Sequence, residues 1–284
     1  MIALVSGAQE RDGYIMTNLT MNPVHPFGVG PERWVLEETG SHELYNMGHL
    51  IEAGVAHWKE TGCRTLLDVA VKAADCICRT IGPGEDQLHI ISGHEEVELA
   101  LVRLYEATGE RKYLDESLYL LDLRGRTSTR TAYNQSHVPV LEQKEAVGHS
   151  VRALYLYRSM AAVAARTGRG DYAAKVDSLW HDIVEHKMYV TGGVGSSHEY
   201  EAFGAPWELP NDRAYCETCS SIADILLQRS LLELHPDVRY FDVMERVLYN
   251  ALLSGISFEM NHFFYVNPLS VPEKDERQYW YFTA

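Results

Sequence analysis

From residue 41 onward the chain alternates apolar and polar positions at a helical period. Ser41 is a fitting cap, and Leu44, Met47, Leu50, Ile51, Val55 and Trp58 follow at three- and four-residue steps. Gly62 ends that stretch, because glycine takes the left-handed conformation that closes a helix. The same punctuation returns. Thr61-Gly62, Thr108-Gly109 and Thr167-Gly168 each close one stretch, and Leu66-Leu67-Asp68, Tyr113-Leu114-Asp115 and Tyr172-Ala173-Ala174 open the next. A degenerate fourth copy runs from His235-Pro236 to Tyr240-Phe241-Asp242. The pattern predicts four helical hairpins, about eight helices, with few strands: an all-α protein whose repeats bury a core by stacking. Residues 1–40, with Gly7, Gly13, Pro23, Pro26, Gly28, Gly30 and Pro31, read as a loop-rich entry segment before a helical region over 41–284. Long connections near 82–93, 124–138 and 190–215 are rich in Gly, Ser, Pro and Asn, and loops of that length usually carry function.

Composition narrows the classes. The 25 basic and 40 acidic side chains leave a formal charge of −15, which argues against a protein that grips phosphate backbones. No apolar run approaches the ~20 residues that span a bilayer. The start, Met1-Ile-Ala-Leu-Val-Ser, shows no basic region and no long apolar stretch, so the expected location is cytoplasmic, an N-terminal truncation aside. Five cysteines are too few and too odd for a disulfide scaffold.

The first helix of each hairpin carries a distinctive polar residue near its start: His42, His94, His149 and Glu217. Each stands 14 to 19 residues before its turn, about one helix length. If the hairpins pack side by side, these four side chains meet at one end, where the long connections also enter. That predicts a polar pocket holding His42, His94, His149, Glu201 and Glu217. Glu201 lies on the Gly-rich loop from Tyr189 to Pro206, sixteen residues before Glu217. Two carboxylates beside a polar pocket point to sugar chemistry, one protonating a leaving oxygen and the other stabilising or attacking. Tyr200, Phe203 and Trp207 are placed to desolvate Glu201 and raise its pKa, as a general acid requires. Glu199 reads as a solvated loop acid. Cys216-Glu-Thr-Cys219 lacks the strand-to-helix context of a redox motif. Glu217 and Cys219 could share a zinc ion, which needs two further ligands. Cys63, Cys76 and Cys78 read as small buried helix residues.

Taken together, His42-Glu-Leu-Tyr-Asn-Met-Gly-His-Leu-Ile-Glu52, Gly93-His-Glu-Glu96, Gly148-His149, Glu201-Ala-Phe203, Leu209-Pro-Asn-Asp212, Cys216-Glu-Thr-Cys219 and Phe264-Tyr-Val-Asn-Pro268 resemble glycoside hydrolase family 127, the β-L-arabinofuranosidases. The resemblance implies an (α/α)6 barrel followed by β-sandwich domains, a retaining mechanism and a cysteine-bound zinc ion. It implies Glu201 as acid/base, Glu217 and Cys219 as zinc ligands, and His42, His94, His149 and Tyr265 as sugar contacts. Cys216 receives no role. The family's nucleophile is a zinc-bound cysteine in a Cys-Cys-Pro-Pro-Asn motif, which follows an aromatic segment like Gln278-Tyr-Trp-Tyr-Phe282. By that measure the helical toroid is incomplete, four hairpins of six, and the nucleophile and sandwich domains lie beyond Ala284; the chain by itself is then expected to bind zinc weakly and to be inactive. The implied partner is a carbohydrate bearing L-arabinofuranosyl groups. A sugar epimerase on a similar barrel, using histidines and no metal, is the alternative enzyme class; a non-catalytic sugar-binding remnant is the other.

Overall fold

The computed structural model describes residues 1–21, 28–270 and 281–283. All four predicted hairpins are present: α3 (Glu43–Thr61) with α4 (Thr65–Thr80), α5 (Val97–Thr108) with α6 (Arg111–Leu123), α7 (Ser150–Thr167) with α8 (Gly170–Asp182), and α9 (Thr218–Leu234) with α10 (Val238–Arg246). Three of the four turns are chemically alike. Gly62, Gly109 and Gly168 close α3, α5 and α7 at φ 70°, 76° and 72°, each donating its amide to the carbonyl four residues back. A side chain in that region costs roughly 1–2 kcal/mol, which is why glycine marks the turns. The chain is all-α, as its periodicity predicts. The described residues contain one small antiparallel pair, β1 (His262–Phe264) with β2 (Tyr281–Thr283), in a backbone register that pairs position 263 with position 282.

Contacts group the chain into two units, Met1–Arg130 with Ser136–Val140, and Thr131–Gln135 with Leu141–Ala284. In the first, α3 packs on both α4 and α5, and α5 packs on α6. Leu44, Met47 and Ile51 of α3, Leu67, Ala70 and Ile77 of α4, and Val97, Leu101 and Leu104 of α5 form its apolar core. The connection before α5 is pinned from below. Fully buried Arg124 forms ion pairs with Glu95 at 2.8 Å and Glu98 at 2.9 Å and donates to the Ser92 carbonyl at 3.0 Å. In the second unit α7 is the central helix, buried along nearly its whole length and packed against α8 and α9. Lys187, in a π-helical turn after α8, is buried and donates to the Ala146 carbonyl at 2.6 Å, fixing the approach to α7.

Three local expectations change. The entry segment is not all loop, since α1 (Ile2–Ala8) and α2 (Thr17–Met21) form short helices there; Pro23 and Pro26 lie outside the described residues. Ser41 does not cap α3. The cap residue is His42, and the Ser41 hydroxyl lies instead between two buried carboxylates, Glu37 at 2.9 Å and Glu43 at 2.7 Å. Burial pushes Glu37 up to about 8, against the hydrogen bonds from the Ser41 hydroxyl and the Glu43 amide, which lower it. Cys63 is exposed in the α3–α4 turn rather than buried in a helix, and all five cysteines are free. No helix among the described residues is long and apolar enough to cross a membrane.

Candidate active site

Three of the four marked residues are the cap residues of their helices: His42 of α3, His149 of α7 and Glu217 of α9. His94 stands two residues before Glu96, the cap of α5. Glycines make room for two of these histidines. A Cβ on Gly93 would run into the Glu37 carbonyl, and one on Gly148, at φ 72°, into the Ala132 carbonyl. Each glycine lets its loop press against a neighbouring backbone and so fixes where the next residue, a histidine, emerges.

In the first unit His42 and His94 lie together, ring centroids 5.8 Å apart. Tyr45, one turn into α3, packs 4.3 Å from His94 and 4.5 Å from His49. The His94 Nδ1 meets the Glu95 carbonyl at 3.0 Å. A carbonyl only accepts, so Nδ1 carries the proton and Nε2 of the neutral ring is an acceptor.

In the second unit His149, Glu201 and Glu217 bring one ligand atom each within 4.8 Å of one another. The local geometry orders their protons. His149 Nδ1 accepts the Val151 amide at 3.2 Å as the helix cap, so the ring proton sits on Nε2, which meets Glu201 Oε2 at 2.6 Å. Tyr215 donates its hydroxyl to the other oxygen, Oε1, at 2.7 Å. Glu201 reaches this position through a strained turn. Tyr200 and Glu201 are consecutive non-glycine residues at φ 58° and 53°. The strain is held by hydrogen bonds on both sides: Ser197 and Ala202 exchange amide-to-carbonyl bonds at 3.1 Å, Phe203 donates to Gly148 at 3.0 Å, and Ser150 Oγ donates to the Glu201 carbonyl at 3.2 Å.

The expected source of an elevated Glu201 pKa is absent. Tyr200 is 64% exposed and Trp207 71%, and Phe203 alone is buried. The hydrogen bond from His149 instead draws the Glu201 carboxyl below its ordinary value, against the opposing push of burial, and the Tyr215 hydroxyl adds to the lowering. Glu199 is exposed, in keeping with a solvated loop acid.

Glu217 behaves in the opposite way. It is 2% exposed, and burial raises its pKa despite hydrogen bonds from Cys219 and Tyr265. Its Oε2 is buried with no hydrogen-bond partner. Burial, then the nearby Glu217 charge, pushes the Cys219 thiol well above its ordinary value. A buried carboxylate with an unmatched oxygen and a thiol resting on it is a donor set that fits a divalent cation of intermediate softness. A cavity of about 270 Å³ opens beside Cys219, lined by Ile222, Ile256, Met260 and Phe263 among others. Cys216 is buried at φ 40° with its Sγ against Gly193, and burial raises its thiol to about 12.

The motif Phe264-Tyr-Val-Asn-Pro268 works largely through its backbone. Thr218 donates its amide to the Tyr265 carbonyl at 3.0 Å, and Asn267 donates its amide to Tyr215 at 3.0 Å and its side chain to the Cys216 carbonyl at 2.9 Å. These bonds staple the segment before α9 and so aim Glu217 and Cys219. Tyr265 has its hydroxyl on Glu217. The marked residues thus form two clusters, His42 with His94 in one unit and His149, Glu201, Glu217, Cys219 and Tyr265 in the other. The residue that the sequence does not reveal is Tyr215, which has no periodic or motif signal beyond its place before Cys216.

Comparison with known proteins shows which family the chain belongs to. Residues 1–283 match the family described as β-L-arabinofuranosidase, GH127 catalytic domain. The chain is 38% identical to the non-reducing end β-L-arabinofuranosidase of Bifidobacterium longum subsp. longum, an alignment covering 94% of this chain and 44% of that protein. Among solved structures, a GH127 β-arabinofuranosidase superposes with a TM-score of 0.92 at 54% identity, over 94% of this chain and 42% of that one. A GH127 β-L-arabinofuranosidase from Geobacillus stearothermophilus T6 gives 0.89 at 43%, over 98% and 46%. A sugar epimerase from a ruminal bacterium, at 13% identity and a TM-score of 0.56, shares the fold alone. The chain spans less than half the length of the GH127 relatives it matches. With a family match along nearly its whole length, the chain belongs to the GH127 β-L-arabinofuranosidase catalytic-domain family.

Proposed function

We propose that this chain carries the acid/base part of the active site of a retaining β-L-arabinofuranosidase, with Glu201 as the acid/base. The observation that carries the reading is the Glu201 carboxyl held between His149 Nε2 and the Tyr215 hydroxyl, beside the buried Glu217–Cys219 pair. In the first step Glu201 gives its proton to the departing glycosidic oxygen while the nucleophile forms a bond to the anomeric carbon. In the second it takes a proton from water, which attacks that carbon and releases the nucleophile. His42, His94 and His149 are the proposed partners of sugar hydroxyls: His94, with its Nδ1 proton on the Glu95 carbonyl, would accept through Nε2, and His149, with Nδ1 on the Val151 amide, would offer the Nε2 proton that it shares with Glu201. Tyr265 joins them, its hydroxyl shared with Glu217.

Glu217 and Cys219 would hold a zinc ion, which lowers the proton affinity of a thiol bound to it. Two ligands are half of zinc's usual four. By family resemblance the others, and the cysteine nucleophile, belong to a Cys-Cys-Pro-Pro-Asn segment that these 284 residues do not contain. Two carboxylates this close would otherwise be read as an acid and a carboxylate nucleophile. The thiol on Glu217 and its unmatched oxygen favour a metal ligand instead.

The test is metal analysis beside hydrolysis of an aryl β-L-arabinofuranoside. The 284-residue chain is expected to hold zinc weakly and to turn over little. A protein that carries these residues together with the cysteine segment is expected to hold one zinc and hydrolyse the substrate, and Cys219→Ser to lower its zinc content while Glu201→Gln does not. Stoichiometric zinc and robust turnover in the 284-residue chain would contradict this placement of the nucleophile.

A further inference from the structure

A glutamate carboxyl turns about a terminal bond with broad, two-fold preferences, so packing along the side chain leaves its plane unset. Hydrogen bonds must set it. His149 holds one oxygen of Glu201 and Tyr215 holds the other, at 2.6 and 2.7 Å. Tyr215 is itself held at every point. Its amide donates to the Gly195 carbonyl at 3.1 Å, and its carbonyl accepts the Asn267 amide at 3.0 Å. Its ring, in a residue 7% exposed, packs edge-on against His198 at 4.9 Å and against Tyr265 at 6.4 Å. Tyr215 therefore joins three parts of the second unit: the strained Glu201 turn, the segment leading into α9, and the Phe264–Asn267 staple.

We infer that Tyr215 is a positioning residue for Glu201, its hydroxyl fixing the plane of the carboxyl from which the proton is delivered. The inference rests on the glycosidase reading above and adds to it a residue that the family motifs do not single out. A phenol donates at neutral pH and an ionised carboxylate can only accept, so the direction of this bond is settled. Misplacement of a proton donor by an ångström costs as much as about 10²-fold in rate. The cost falls on substrates whose leaving group needs the proton.

Tyr215→Phe keeps the ring and its packing and removes only the hydroxyl. In the protein that carries these residues with the cysteine segment, kcat/KM is compared on two aryl β-L-arabinofuranosides, one with a poor leaving group and one with a dinitrophenolate that departs unprotonated. The variant is expected to lose about tenfold or more on the first and to stay within about twofold on the second. Equal losses on both substrates in Tyr215→Phe would mark a merely structural role and overturn the inference. If the wild type hydrolyses neither substrate, the glycosidase reading falls. A crystal structure of Tyr215→Phe then decides positioning alone, a rotated Glu201 carboxyl supporting it and an unmoved one overturning it.

Discussion

Glu201 is ionised more readily than a general acid at rest should be, because two donors face its two oxygens. In the proposed acid/base role that arrangement suits the base half of the cycle, in which the carboxylate takes a proton from water. Little of this was readable beforehand. The three histidines and Glu217 were legible because they stand at helix starts that glycines and turns mark in the sequence. Glu201 was legible only through its motif. Its environment was not, since Tyr200, Trp207 and Phe203 look alike as aromatic neighbours and only the fold exposes the first two. Tyr215 escaped because its partner lies fourteen residues upstream, on a turn with two left-handed residues in succession, and no local pattern encodes such a pairing.

At the scale of elements, most of the fold follows from punctuation. Apolar residues at helical spacing give the helices and Gly62, Gly109 and Gly168 give their ends. The sequence does not distinguish a glycine needed for its φ alone from one needed for space as well. Gly62 is at φ 70° with nothing within 4 Å of a Cβ placed there, whereas Gly148, at φ 72°, faces the Ala132 carbonyl. Gly62→Ala is therefore expected to cost roughly 1 kcal/mol, the left-handed penalty alone. Gly148→Ala is expected to cost about 3 kcal/mol or more, because strain and a backbone clash add and His149 is displaced with them. Urea denaturation of the two variants checks this, and equal costs would show that the α7 entry yields more easily than its packing implies. The short helices α1 and α2 were missed for a plain reason: neither contains a buried residue, so no apolar periodicity announces them.

For the whole molecule, stability should decline as pH rises from weakly acidic to weakly basic. Glu116, in the first unit, is raised from 4.5 to about 8 by burial, and Asp224, in the second, from 3.8 to about 7 by burial despite a hydrogen bond from Gln228. Above pH ~4–5 the unfolded chain releases these protons while the folded chain keeps them. The native state then binds more protons, so each group removes stability, at up to about 1.4 kcal/mol per pH unit, until pH passes its folded pKa. The loss spans roughly pH 4.5–8 for Glu116 and 3.8–7 for Asp224. Glu116→Gln and Asp224→Asn should each melt higher than the wild type at pH 8 and lose that advantage near pH 4. Thermal melts across this range check it; an advantage that does not change with pH would contradict the assignment.

The central claim is that Glu201 is the acid/base of a retaining β-L-arabinofuranosidase, and azide rescue tests it most directly. Glu201→Ala in the protein that carries these residues with the cysteine segment cannot activate water for the second step. Azide needs no base and fits the space left by the carboxyl. With a dinitrophenyl β-L-arabinofuranoside as substrate, the account predicts that added azide restores turnover and that the product is the β-L-arabinofuranosyl azide, with the anomeric configuration retained. Turnover unaffected by azide, or an azide product of inverted configuration, would contradict it.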